Sequence, residues 1–340
     1  MMTNSSDSPP ESRSARVDQL IDVHSHFLPP SYVQEAVAAG ITTPDGIPAW
    51  PNWSVDAHLR LMDSEGIDRS VLSLSSPGVH FGQDAATVSL AHRVNEFAAD
   101  LSAGHPDRFQ FFASLPLPLV DASLLELTRS LDELGAAGVV LQTNSGGQYL
   151  SHPDLEPLWA ALDQREATVF LHPTSPPSWE QTALGLPRPM LEFPIETMRT
   201  IVGLVKSGVL TRHRRVRLIV PHAGQLLPAI VDRVEMFGRA STPSGEDGSF
   251  REQLGRLWFD LAGTPMPRTA AALIDVVGPE RIVYGSDYCF TPPPFVTAQF
   301  QALDKGWSRI DDTPWRVRTT RNAQALLSRP RVPSRLIPTT

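Results

Sequence analysis

The chain of 340 residues contains a single cysteine, Cys289. One thiol rules out an intrachain disulfide framework and a cysteine-based zinc finger, so any transition metal must be held by imidazoles and carboxylates. No stretch reaches the ~20 apolar residues of a membrane span. The polar start, MMTNSSDSPPESRSARVDQ, lacks the apolar core of a secretory leader. Both absences lead us to expect a soluble, cytoplasmic protein without a membrane partner. No Gly-x-Gly-x-x-Gly follows the first apolar run, which continues DVHSHFLPP, and there is no Gly-Lys-Ser/Thr. A dinucleotide fold and a phosphate-cradling loop thereby lose their signatures. Positive charge is scarce: 29 Lys+Arg against 37 Asp+Glu leave a formal net charge of −8, a poor basis for binding nucleic acid.

What is present is a repeated alternation. Short apolar runs occur at Leu20–Val23, Ser70–Leu74, Phe109–Ala113, Gly138–Leu141, Thr168–Leu171, Val216–Val220, Leu257–Leu261 and Arg281–Tyr284. Near-continuous runs of this kind suit strands buried on both faces of a parallel sheet. Helical patterns lie between most of them: Ser54–Gly66, with Ser54 as N-cap and Gly66 as stop, then Asp84–Gly104, Asp121–Leu134, Pro153–Arg165, Glu192–Val209, Gln225–Phe237 and Thr264–Val277. A last pattern, Pro314–Leu327, follows the eighth strand. Strand–helix alternation eight times over predicts an α/β fold, a (β/α)8 TIM barrel. The open doubly wound sheet is the alternative, and it lacks its phosphate loop. One catalytic domain is expected over 19–328, between a disordered N-terminal tail at 1–18 and a C-terminal tail at 329–340. Two proline-rich inserts, Phe27–Trp53 after strand one and Pro173–Leu191 after strand five, should lie over the C-terminal face, where barrel active sites sit.

The ionisable residues fall at the ends of these strands. His24 and His26 end strand one, and positions i and i+2 of a strand point to the same side. His172 ends strand five, His222 strand six and Asp287 strand eight. In a barrel these ends form one ring around one cavity, and several imidazoles with a carboxylate suit Zn2+ and similar ions. A lone strand-end histidine is more often a loop residue; the convergence is what points to a site. His58, His92 and His213 fall in helical patterns or near their ends and His105 and His152 beside prolines, so they read as structural. His80 lies near the mouth. Trp50 and Trp53 suit either an aromatic ligand face or a packed lid.

The motifs Asp22-Val-His-Ser-His26, His172, Pro221-His222-Ala-Gly224 and Tyr284-Gly-Ser-Asp287 resemble the amidohydrolase superfamily. More narrowly, the chain resembles the aminocarboxymuconate-semialdehyde decarboxylase branch, which also holds non-oxidative aromatic acid decarboxylases. The stretches MLEFPIETMRTIVGLVKSGVL and RLIVPHAGQLLP are similar to those of 6-methylsalicylate decarboxylases. The resemblance implies metal ligands at His24, His26, His172 and Asp287, a catalytic His222, no organic cofactor and a homodimer. Zn2+ is the expected ion and Mn2+ the alternative. It implies a carboxy-lyase that releases CO2 and a phenol from a small hydroxybenzoate-type acid. Binuclear members usually carry a carboxylated lysine ending strand four, where this chain has Leu141-Gln142-Thr143-Asn144, which implies a single ion. The arginine with which the semialdehyde decarboxylases hold a second carboxylate is absent from Gly46–Trp53. Loss of CO2 requires a proton at the ipso carbon, since a free aryl carbanion is too basic; Asp287 and His222 are both candidates to supply it. Two other readings stay open here. The same ring could activate water against a lactone or amide with Asp287 as base, or the barrel could bind without catalysis.

Overall fold

The apolar runs become eight parallel strands: β1 Ile21–His26, β2 Arg69–Ser73, β3 Phe109–Ser114, β4 Gly138–Gln142, β5 Thr168–His172, β6 Arg217–Val220, β7 Trp258–Asp260 and β8 Ile282–Val283. The computed structural model describes residues 19–241 and 248–328; the tails expected at 1–18 and 329–340 lie outside the described residues. Strands follow one another in chain order around the sheet. Bridges Asp22↔Tyr284 and Ser25↔Tyr288 carry β8 back to β1, giving a nearly closed barrel. Each strand sends an apolar side chain inward, among them Val23, Val71, Phe112, Val140, Phe170, Ile219, Trp258 and Val283. Ala323 and Leu326 of the last helix, Trp315–Leu327, join this inner cluster. The outer faces pack against the helices in a second core.

The register of β1 is what aims the site. Asp22 pairs with Ser70, but Ser25 pairs with Leu72. Val23 and His24 therefore both stand opposite Val71, a β-bulge. In an even pleat the two would face opposite sides. Here Val23 stays in the barrel core while His24 also turns in, its ring 4.6 Å from that of Phe170. The Asp22 carboxylate accepts the His24 N–H at 3.0 Å. It also accepts from the Ser286 N–H at 3.1 Å and the Ser286 hydroxyl at 2.6 Å. That ties the bulge to the segment after β8. Burial pushes the Asp22 carboxyl up to about 7, against these hydrogen bonds.

The helix Val55–Glu65 is capped as its sequence requires: Ser54 accepts the Ala57 N–H at 3.2 Å, and Gly66 takes the left-handed conformation at φ 68°. Prolines hid two others. Pro30–Ala38 lies inside the insert after β1, and Pro293–Gly306 follows Pro292. In both, proline stands in the first turn, where the missing N–H has no helical partner to lose. The helix expected from Glu192 starts at Arg188, runs to Lys206 and keeps Pro194 inside. Among the described residues no helix is long and apolar enough to cross a membrane.

Candidate metal centre and active site

His24, His26, His172 and Asp287 meet at the C-terminal mouth of the barrel, each offering one ligand atom, all within 4.8 Å of one another. Each imidazole turns Nδ1 outward to an acceptor. His24 faces Asp260 Oδ2 at 2.9 Å, His26 the Ser73 carbonyl at 3.2 Å and His172 the Pro173 carbonyl at 2.7 Å. A ring that donates through Nδ1 keeps a lone pair on Nε2. The Nε2 atoms of His24 and His26 lie 3.2 Å apart. Asp287 Oδ1 is 3.1 Å from the second and 3.4 Å from the first. Lone pairs and a carboxylate at these distances repel unless a proton or a metal ion stands among them, and three imidazoles converging on one carboxylate are a donor set that fits a divalent metal ion.

The electrostatics follow the same geometry. Burial, with repulsion from His26 and His24, holds His172 well below the usual imidazole range. Burial also lowers His26. Burial opposes charge on His24 as well, but the Asp260 and Asp287 carboxylates outweigh it and raise that ring to about 10. Asp287, although buried, is held well below the carboxylate range by hydrogen bonds from His222, His24 and His26.

Asp260 escaped the sequence reading because it is embedded in the apolar run LWFDL. It ends β7 and is fully buried. Besides His24, it accepts the backbone N–H groups of His222 at 2.8 Å and Ala262 at 2.9 Å. It thus orients a candidate ligand and fixes the turn that carries His222. That turn is strained: His222, Ala223 and Gln225 take φ of 56°, 54° and 54°, and Asp287 takes 59°. Left-handed backbone at non-glycine residues costs on the order of 1–3 kcal/mol each and gathers at functional sites. His222 Nε2 lies 3.5 Å from Asp287 Oδ2, while its buried Nδ1 has no hydrogen-bond partner.

Gly285 lies against this cluster. A Cβ there would fall 2.6 Å from His24 Cβ and 3.2 Å from Asp260 Cγ. Gly285→Ala is expected to lower stability by about 1–3 kcal/mol through overpacking and to reduce bound metal. Denaturant unfolding and metal analysis read both, and an alanine variant as stable and as fully metallated as wild type would contradict the close approach.

A cavity of about 400 Å3 opens over the cluster, lined by His172, His222, Asp287, Ser75, Phe193, Phe290, Met190, Gln225 and Asp45 among others. The Phe290 ring stands edge-on to His26 at 5.5 Å and Phe193 to His172 at 6.2 Å. The tryptophans do not line it. Trp50 donates to the Ile41 carbonyl at 2.9 Å and Trp53 to His58 Nδ1 at 3.1 Å, and both pack on the outer core. They are lid packing, and the aromatic face falls to Phe193 and Phe290. His80 is not brought to the metal cluster. It lines a second cavity of about 380 Å3, over the ends of β3 and β4, together with Gln142. Asp45, unremarked in the sequence, lines both cavities.

A family model described as Amidohydrolase matches residues 21–311. The 6-methylsalicylic acid decarboxylase of Aspergillus aculeatus is 36% identical over 284 residues, 80% of this chain and 84% of that protein. The crystal structure of a protein described as amidohydrolase II superposes with a TM-score of 0.85 at 32% identity, covering 91% of this chain and 99% of the other. A dihydroxybenzoic acid decarboxylase from Polaromonas, solved with manganese and 2-nitroresorcinol, shares the fold at a TM-score of 0.77 and 23% identity, over 91% of this chain and 97% of its own.

Proposed function

We propose, because this chain belongs to the amidohydrolase family, that it is a metal-dependent, non-oxidative decarboxylase of a hydroxybenzoate-type acid, with 6-methylsalicylate as the leading substrate and CO2 and a phenol as products. The observation that carries this reading is the 36% identity to a 6-methylsalicylic acid decarboxylase across 84% of that protein, joined to a metal-fit cluster beneath a cavity sized for one ring. His24, His26, His172 and Asp287 are the proposed ligands of one divalent ion. Zn2+ is our first assignment, and Mn2+, which the Polaromonas protein binds, is the alternative. Gln142 at the end of β4 lines the other cavity and offers no bridging group for a second ion. We also propose one catalytic domain over 19–328, a homodimer and a cytoplasmic location.

When bound, the ion supplies Lewis-acid charge for the oxygens of the aromatic acid. The chain supplies the rest. Phe193 and Phe290 flank the ring, and Met190, Pro194 and Pro265 leave room for an apolar substituent such as a methyl group. The carbon that loses CO2 must gain a proton, and the facing pair His222 Nε2 and Asp287 Oδ2 holds it at the cavity wall.

The test is metal analysis of the purified protein with CO2 release from 6-methylsalicylate, salicylate and resorcylates, with and without chelator. We expect about one ion per chain and loss of activity on chelation. Thermal stability should fall as well, since an ion at a thousandfold excess over its Kd contributes about 4 kcal/mol. Water-consuming cleavage of a lactone or amide, with no CO2 from any of these acids, would instead identify a hydrolase.

A further inference from the structure

We propose that Asp45 sets the charge specificity of the active cavity, admitting aromatic acids with one carboxylate and turning away those with a second anionic group. The inference rests on the decarboxylase reading above. Among the described residues no Lys or Arg lines the cavity. Of its two carboxylates, Asp287 belongs to the metal cluster, which leaves Asp45 as the charge that a distal substituent would meet.

Asp45 is held there by a built latch. It sits in the short turn Pro44–Gly46 of the insert after β1 and is only 7% exposed. Its Oδ1 accepts the Ser175 hydroxyl at 2.5 Å, and Arg188 Nε donates to the same Ser175 oxygen at 3.0 Å. Burial raises the Asp45 carboxyl above its ordinary value, opposed by the Ser175 and Ser76 hydroxyls and the Arg188 guanidinium. The Arg188 guanidinium lies 4.1 Å over the Trp179 ring and lines the second cavity, not the active one. The neighbouring Gly46, at φ 77°, has no Cβ to obstruct it: one would fall 2.6 Å from Arg188 Nη1. Cation and carboxylate thus meet at the partition between the cavities, where Arg188 lines only the second and Asp45 lines both. The Asp45 backbone, at φ 49°, is left-handed, so the position is imposed by its surroundings. In a partly desolvated cavity a second carboxylate near this group is repelled, and its binding should weaken by about tenfold or more.

The test uses full-length, metal-loaded protein and calorimetry rather than turnover. The probes are 2-hydroxybenzoate and its congeners bearing a second carboxylate meta or para to the first. Wild type should bind the diacids about tenfold or more weakly than the monoacid. Asp45→Asn keeps the hydrogen-bonding shape. It should erase most of that ratio for at least one diacid while moving the monoacid Kd by no more than about twofold. Arg188→Gln removes the counter-charge and should widen the ratio, the opposite direction, which loss of loop structure would not produce. Equal ratios in wild type and Asp45→Asn, or a wild type that binds diacids as tightly as the monoacid, would overturn the proposal. Should the binding pattern hold while no hydroxybenzoate releases CO2, the charge filter stands and the decarboxylase reading fails.

Discussion

Replacing His222 with asparagine is expected to lower kcat for CO2 release by on the order of 10^3-fold while leaving about one metal ion per chain. The substitution is chosen for its backbone. Position 222 sits at φ 56°, and asparagine is among the few residues that tolerate the left-handed region. The hydrogen bond from the 222 N–H to Asp260 survives, because it is made by the main chain. His222 is not in the four-residue metal cluster, so that cluster keeps its donors. What disappears is the imidazole facing Asp287 Oδ2 at 3.5 Å. Asp287→Asn is the informative contrast: it touches both the proton pair and a proposed ligand, so metal content and turnover should fall together. A His222→Asn enzyme that releases CO2 within about tenfold of the wild-type rate would remove His222 from the proton pair.

The second large effect is expected at Asp260. Its carboxylate takes three donors, the His24 ring and the N–H groups of His222 and Ala262. In Asp260→Asn one acceptor becomes an NH2, and a buried donor loses its partner, costing about 1–3 kcal/mol. If the NH2 faces His24, the ring proton moves to Nε2, the atom that faces His26 and Asp287. Metal affinity should then fall about 10–100-fold, as is usual when a ligand histidine loses its outer partner. Competition against a graded chelator measures it, and the unfolding midpoint of the fully loaded protein reports the packing cost separately. Unchanged metal affinity would mean that Asp260 only shapes the His222 turn.

The strands and the first ring of site residues were legible because each signal was local. Four apolar runs ended in histidine or aspartate, at His24 and His26, His172, His222 and Asp287, and barrel topology brings such ends together. The structure gathers four of them into one cluster, with His222 beside it. Asp260 was illegible because an acid within an apolar run carries no sign of the partners that neutralise it. Asp45 was illegible because its position depends on Ser175 and Arg188, far away in the chain. The helices at Pro30 and Pro293 were illegible because proline is as common in loops as in a helix's first turn, where it stands here.

The extra residue in β1 separates two jobs that one strand would otherwise have to share. In an even pleat the residues facing the axis are all odd or all even, so changing the packed floor and changing the reactive rim would compete for the same lettering. With the parity switched between Asp22 and Ser25, odd positions Ile21 and Val23 write the floor and even positions His24 and His26 write the rim. Either set can vary without rewriting the other, and deletion of a single residue in that interval would set the two alphabets against each other.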